Sequence, residues 1–468
     1  MQNLLRTVET KDRGGSVEGA DAATPSAAAL HERYAAVRAT TERITAPLTA
    51  EDQQLQSMTS CSPTKWHRAH VTWFFETFVL APRGVPVVNA SYKHLFNSYY
   101  VTVGSRHPRP KRGMLSRPTA EEVTRYRRAV DERMLELLTK ADRKELEALS
   151  PIVELGLAHE QQHQELMLTD ILNAFSENPL FPAYSAMDIG ASRPLAYAPA
   201  LPGSSTETST ATAPQHSLTA RSEFVEFEGG LVQIGADGAG FSFDNERPRH
   251  RAWLEPFALS RRLVTVGEMK EFIAAGGYRT PELWLSEGFD FVQANAVEAP
   301  LYWYSDGSDY QVFGLQGMRA LIDDEPVTNV SYYEADAVAR FLGGRLPTER
   351  EWEAAASGVE PRGNLLESGS LRPLAYDVRR PSGSLADLPG QLFGDAWEWT
   401  SSSYDPYPGY RAGPGALGEY NGKFMVNQKV LRGGSHLTPR DHVRPSYRNF
   451  WHAHTRFQVS GFRLAKDA

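Results

Sequence analysis

Apolar residues recur at helical spacing in four stretches of the N-terminal half, Leu30 to Ile44, Pro63 to Leu80, Ala120 to Leu138 and Pro151 to Phe175, and then the pattern stops. Each stretch carries an apolar stripe that needs a partner, and four such stripes cover one another in a four-helix bundle. The fourth stretch also carries His159 and His163 within Leu157-Ala158-His159-Glu160-Gln161-Gln162-His163-Gln164-Glu165. A spacing of four places both imidazoles on one helix face, which is half of a metal site. The second stretch supplies His67 and His70 among bulky apolar residues, so three imidazoles can converge inside the bundle. Spacing alone leaves open which of His67 and His70 points inward, since residues three apart share a face only loosely.

Three neutral nitrogen ligands leave open positions on a divalent first-row metal, which suits Fe(II) with substrate and dioxygen as well as Zn(II) with water. His159-Glu160-Gln161-Gln162-His163 also satisfies the HExxH pattern of zinc peptidases, in which the Glu is the general base. The chain lacks the later parts of the metzincin signature, and its third histidine lies upstream rather than downstream.

The chain has 468 residues, of which 41% are hydrophobic and 23% charged, a globular composition sufficient for two or three domains. A net charge of -8 with no long basic run argues against nucleic acid or an anionic membrane as partner and leaves a small-molecule substrate as the expectation. The single cysteine, Cys61, excludes an internal disulfide and fits a reducing compartment. Met1 to Ala29 is polar and holds no apolar run of signal-peptide length, and no stretch reaches the ~18 apolar residues that would span a bilayer. The expected location is cytoplasmic.

Residues 1–25 are read as a mobile N-terminus, 26–190 as the helical bundle, 191–220 as a Pro/Ser/Thr/Ala-rich linker, and 221–468 as a second domain. Within the bundle, Val85 to Arg117 is a long non-helical excursion containing Asn97-Ser98-Tyr99-Tyr100 and Arg106-His107-Pro108-Arg109-Pro110-Lys111-Arg112-Gly113; a loop of that length with aromatic content points to function. Beyond Glu223 short strands, turns and scattered tryptophans predominate. Helices are predicted over Thr265 to Ala275, over Ser331 to Leu342, and from near Thr348, the last two opening with capping boxes.

Gly394-Asp395-Ala396-Trp397-Glu398-Trp399-Thr400, Val430-Leu431-Arg432-Gly433-Gly434-Ser435, Gly461-Phe462-Arg463-Leu464, Pro326-Val327-Thr328-Asn329-Val330-Ser331 and Arg345-Leu346-Pro347-Thr348-Glu349 together resemble the formylglycine-generating-enzyme fold, which is C-type-lectin-like. The N-terminal half resembles a DinB-type four-helix bundle. The pairing resembles the ergothioneine-biosynthesis sulfoxide synthases, non-haem iron enzymes that couple hercynine (trimethylhistidine) to a thiol using dioxygen. The implied fold class is α+β, the implied cofactor Fe(II) with O2 as co-substrate, and the implied partners are small molecules alone. Formylglycine-generating enzymes work through a cysteine pair in this domain, and here the domain has no cysteine, which excludes that chemistry.

Residue by residue, the resemblance implies His70, His159 and His163 as iron ligands, with His67 a nearby non-ligand, and Gln162 as a hydrogen-bonding partner of hercynine. Glu165 is read as structural or as an orienter of a ligand. The chemistry needs a proton donor for reduced dioxygen, and Tyr99 and Tyr100 resemble the tyrosine pair of the cysteine-using branch. Arg109 is the implied clamp for the carboxylate of the sulfur donor, with Arg106 and Arg112 as rivals, because a guanidinium matches a carboxylate bidentately. A trimethylammonium group is held by aromatic faces. Ser446-Tyr447-Arg448-Asn449-Phe450-Trp451 matches the segment that completes the pocket, with Asn449 reaching the substrate carboxylate and Phe450 or Trp451 lining the cavity, which places the active site between the domains.

The sequence departs from the cysteine-using branch at Val426-Asn427, at Ser435-His436-Leu437-Thr438 and at Phe450-Trp451-His452. These departures leave room for the related selenoneine synthases, which resemble this family and join hercynine to a selenium-bearing sugar. A non-catalytic binding protein and a zinc hydrolase are the remaining readings.

Overall fold

The structure, a computed structural model, describes residues 25–184, 223–238, 240–305, 307, 309–377, 388–413, 418 and 421–468. The segment read as a linker and the first 24 residues lie outside the described residues. The N-terminal part is built on α1 (Ala27–Thr45), α2 (Thr64–Phe75), the short α3 (Tyr92–Phe96), α4 (Ala120–Lys140) and α5 (Arg143–Ser176). Their stripes meet as the periodicity predicts, with Leu30, Tyr34, Trp73, Phe74, Phe75, Val130, Met134, Val153 and Leu157 in one core.

Two expectations need correction. The fourth helix begins at Arg143, eight residues before Pro151, because Asp142 caps it by accepting from Glu145 N at 2.9 Å. Pro151 removes only the hydrogen bond to the Glu147 carbonyl, and both residues are exposed. The excursion from Val85 to Arg117 is not free of helix: it contains α3 and single 3-10 turns at Val101–Val103 and Arg109–Met114. Asn97 ties it down by donating to the Tyr100 carbonyl at 3.0 Å and accepting from Tyr100 N at 3.1 Å.

At Gly156, α5 packs close against the aromatic rings of α2. A Cβ there would sit 2.6 Å from the Phe75 ring and 2.8 Å from the Phe74 ring, both buried. Gly156→Ala gains about 1 kcal/mol of helix propensity but overpacks fixed aromatic rings, at a cost of about 1–3 kcal/mol. The expected outcome is net destabilisation of up to about 2 kcal/mol, read as a lower midpoint in thermal unfolding, since both rings are buried in the packed core. An alanine variant that melts at or above the parental temperature would show that the helices can separate freely there.

The C-terminal part carries helices α6 (Val266–Ala274), α7 (Ser286–Ala294), α8 (Tyr332–Phe341) and α9 (Glu349–Ala355) around several small sheets. Thr265, Ser331 and Thr348 cap α6, α8 and α9 with full capping boxes, those at Ser331 and Thr348 as their sequences predict. The helix at Ser286–Ala294 was not predicted: its N-cap is Leu285, which offers no side-chain cap, and it contains Gly288, a poor helix former, where Tyr333 of α8 packs close against the backbone.

The sheet that matters for function has four strands in the order Asn449–His452, Gln428–Arg432, Trp397–Ser403, Ser460–Gly461. The first three pair antiparallel and the last is parallel to its neighbour. Trp397 of this sheet thereby faces α5. Contacts across the two parts fix that relation: Glu165 of α5 accepts from Trp397 Nε1 at 2.8 Å, Ser435 Oγ at 2.5 Å and Thr438 Oγ1 at 2.8 Å. No described helix is long and apolar enough to cross a membrane.

Candidate metal centre and substrate cavity

His70, His159 and His163 bring one ring nitrogen each within 4.8 Å of one another, and all three are buried. Among the described residues they are the one group of three or more His, Cys, Asp or Glu side chains so arranged. Burial is the first cause holding each imidazole neutral: it draws His159 down to about 3 and puts His70 and His163 well below the ordinary histidine value. Neutral rings with lone pairs turned toward a common point are the donor set a divalent cation takes.

His70 Nδ1 lies 2.5 Å from the Phe96 carbonyl oxygen, which can only accept, so that nitrogen carries the proton. Its Nε2 is consequently a bare lone pair, buried and without a hydrogen-bond partner. This orphaned acceptor fits a cation. His67 has both nitrogens engaged, Nδ1 with His163 Nδ1 at 2.7 Å and Nε2 with Asp170 Oδ2 at 3.0 Å. His67 therefore stands beside the cluster with no ring nitrogen left for a metal.

Glu160, the residue a zinc peptidase would use as base, points the other way, into a buried network between α1 and α4. It accepts from Arg38 Nη1 at 2.7 Å, Thr41 Oγ1 at 2.6 Å and Arg127 Nη2 at 3.0 Å. Burial by itself raises its carboxyl, but the two guanidinium groups outweigh burial and hold it at about 2. A carboxylate so held takes up no proton near neutral pH and lies on the wrong side of the helix for a general base.

The cluster borders a cavity of about 430 Å³ between the two parts of the chain, walled by residues of α2, α5, the excursion and the four-stranded sheet. Gln162, Tyr99, Arg109, Arg112, Asn449, Phe450 and Trp451 all line it. Gln162 Nε2 donates to Tyr447 Oη at 2.7 Å, and Tyr447 lies 3.0 Å from His442 Nε2. Tyr99 lines the cavity with its hydroxyl 3.4 Å from that of Tyr100, which is fully buried behind it. Lys423 holds this pair from the second part, donating to the Tyr99 carbonyl at 2.6 Å.

Arg109 is exposed at the rim and donates to the Ser60 carbonyl. Arg106 is exposed and does not reach the cavity. Arg112 is the deeper cation: it is buried, stacks over Trp66 at 3.4 Å from the ring centroid, and donates to Ser62 Oγ at 2.9 Å and Ser98 Oγ at 3.2 Å. Its Nε has no partner, and no carboxylate among the described residues pairs with it. Arg448, also in the wall, is already neutralised by Glu349 at 2.9 and 3.0 Å.

Of the sequence departures noted above, Val426, Asn427 and His436 do not line the cavity; His436 turns away, with Nδ1 2.8 Å from the Asp395 carbonyl oxygen. Trp451 and His452 do line it. Sequence reasoning assigned no role to Trp66, Trp397, Tyr447 or Asp170. The first three belong to aromatic-rich segments whose side-chain direction only the assembled interface decides. Asp170 lies seven residues after His163, two helical turns along the same face, a signal available in the sequence.

The DinB superfamily pattern matches residues 33–167, and the sulfatase-modifying factor enzyme 1-like domain matches residues 209–377 and 384–468. A chain that joins these two folds around a buried three-histidine cluster is of the bipartite oxygenase type. It is 31% identical over 431 residues to the hercynine oxygenase of Mycolicibacterium thermoresistibile, covering 87% of each chain. It is 33% identical to that of Mycolicibacterium smegmatis, covering 67% of this chain and 71% of the relative. The second part alone is 29% identical to the formylglycine-generating enzyme of Streptomyces coelicolor, covering 52% of this chain and 89% of that enzyme. The chain belongs to the hercynine oxygenase family and is, like its members, an oxidoreductase.

Proposed function

We propose that this protein is an oxygen-dependent, non-haem iron sulfoxide synthase that joins hercynine to cysteine or a cysteine-containing thiol, a step of ergothioneine biosynthesis. The observation that carries the reading is the cluster of three buried neutral imidazoles at the wall of an aromatic interdomain cavity, in a chain of this family. His70, His159 and His163 would hold the iron. Iron(II) bound there supplies the redox chemistry that couples four-electron reduction of dioxygen to carbon–sulfur and sulfur–oxygen bond formation. The overall reaction balances: a thiol, the imidazole C–H of hercynine and O2 give the sulfoxide and one water.

The chain's own residues supply binding and protons. The aromatic wall formed by Trp397, Tyr447, Phe450 and Trp451 suits a trimethylammonium group, which is attracted to ring faces and needs no hydrogen bond. Gln162 and Asn449 are the amides in that wall assigned to hercynine. Tyr99 is the tyrosine at the cavity surface and therefore the proton donor, with Tyr100 behind it in position to return a proton through the paired hydroxyls.

The sulfur donor is assigned to the Arg109–Arg112 side. A buried guanidinium without a carboxylate partner is costly, and an incoming carboxylate removes that cost while gaining a charge-assisted pair. This favours an amino-acid thiol over a selenium-bearing sugar, which has no carboxylate. The experiment is anaerobic reconstitution with Fe(II) and hercynine, division among cysteine, γ-glutamylcysteine and a selenosugar, exposure to air and mass spectrometry. The expected product is the hercynine sulfoxide of a thiol. Selenium incorporation alone would move the protein to the selenoneine branch, and no product from any donor would leave a binding protein.

A further inference from the structure

Beside the three-histidine cluster stand two side chains that the proposed chemistry does not use, His67 and Asp170. Asp170 Oδ2 accepts from Ser62 N at 2.7 Å and lies 3.0 Å from His67 Nε2, and His67 Nδ1 lies 2.7 Å from His163 Nδ1. All three side chains are buried. A carboxylate offers only lone pairs, so His67 Nε2 carries the proton of the first contact. A neutral His67 then has an acceptor at Nδ1, which obliges His163 Nδ1 to donate. The lone pair of His163 is left on Nε2.

We propose that His67 and Asp170 are positioning residues that fix the tautomer and ring orientation of His163, so that Nε2 is the nitrogen it presents to the metal; this rests on the reading of His70, His159 and His163 as the metal ligands. The same end is reached at His70 by a different means. There the acceptor at Nδ1 is the Phe96 backbone carbonyl, which the fold itself holds in place. At His163 the acceptor is another imidazole, which could take either tautomer and is disciplined only by Asp170. The arrangement extends the carboxylate–histidine–metal pattern by one imidazole. It also gives a reason for the paired histidines of Trp66-His67-Arg68-Ala69-His70: one serves the metal, the other serves a ligand.

The test uses the full chain, stripped of metal and titrated with zinc(II) against a competing chelator, with the thermal midpoint of the metal-free form measured beside it. The parental chain is expected to bind one zinc(II). His67→Asn and Asp170→Asn are expected to weaken that binding 10- to 100-fold while leaving the metal-free midpoint nearly unchanged. The double variant is expected to bind zinc(II) no worse than His67→Asn, because the contact of Asp170 with a metal ligand runs through His67. In the zinc-loaded parental chain, 15N-histidine spectra are expected to show His163 protonated at Nδ1 and metal-bound at Nε2; this measurement stands even if a variant fails to fold. Variants that hold zinc within twofold of the parent, additive losses, or a His163 bound through Nδ1 would each overturn the relay while leaving the metal site intact. A parental chain that binds no zinc would overturn the three-histidine reading and the relay together.

Discussion

The His159→Ala chain is expected to lose bound iron and, with it, all oxygen-dependent product. Two imidazoles would remain where three converge, and removing a ligand outright must cost more than the ~10–100-fold that attends loss of a group merely supporting one. Affinity for Fe(II) should therefore fall by more than ~100-fold, and turnover to the level of the uncatalysed mixture. The substitution is gentle to the fold. Alanine is the best helix former, so α5 keeps its conformation, and the lost ring is one that packs against Phe74, 5.2 Å between centroids. Metal content by elemental analysis and product by mass spectrometry, on a chain whose circular dichroism matches the parent, check the expectation. Full metal content with full turnover would end the assignment of His159 to the centre. The neighbouring Glu160 sharpens the distinction from a zinc hydrolase, for it is already paired with Arg38 and Arg127 and is unavailable as a base.

How much of this was legible beforehand follows from what each feature depends on. The bundle was legible because helical periodicity is local, and the His159–His163 pair because four residues make one turn. The capping boxes at Ser331 and Thr348 were legible for the same reason. The choice between His67 and His70 was not, since a spacing of three leaves both near one face; it is made by partners far along the chain, the Phe96 carbonyl for one ring and Asp170 for the other. The depth of Arg112 relative to Arg109 was equally hidden. Both sit in one basic run, and only the packing of that run over Trp66 buries the former. The extent of α5 was misjudged because the apolar spacing was followed only from Pro151, whereas the Asp142 cap lies upstream and the helix runs through the proline. The departures from the cysteine-using branch looked alike in sequence. In the fold, His436 faces Asp395 and only the Phe450-Trp451-His452 departure meets the cavity, so the part of the sequence bearing on donor choice shrinks to that segment.

The remaining large effect concerns the tyrosines. The Tyr99→Phe, Tyr100→Phe double variant is expected to form sulfoxide ~10²–10⁴-fold more slowly, the usual contribution of a positioned proton donor. Phenylalanine preserves the ring contacts: Tyr99 on Phe424 at 5.7 Å, Tyr100 on Phe78 at 5.1 Å, and the two rings on each other at 4.5 Å. Iron content and hercynine affinity should accordingly stay near parental values, so that the loss falls on kcat. The single variants divide the effect by position. Tyr99 faces the cavity, and its replacement should account for most of the loss. Tyr100 is sealed behind it, and its replacement should slow only the return of a proton to Tyr99. Rates from rapid quench after mixing the loaded enzyme with oxygenated buffer measure the step directly. An unchanged rate in the double variant would mean that the proton arrives by another route, and an effect carried wholly by Tyr100 would mean that the inner hydroxyl, and not the one at the cavity wall, reaches the reacting atoms.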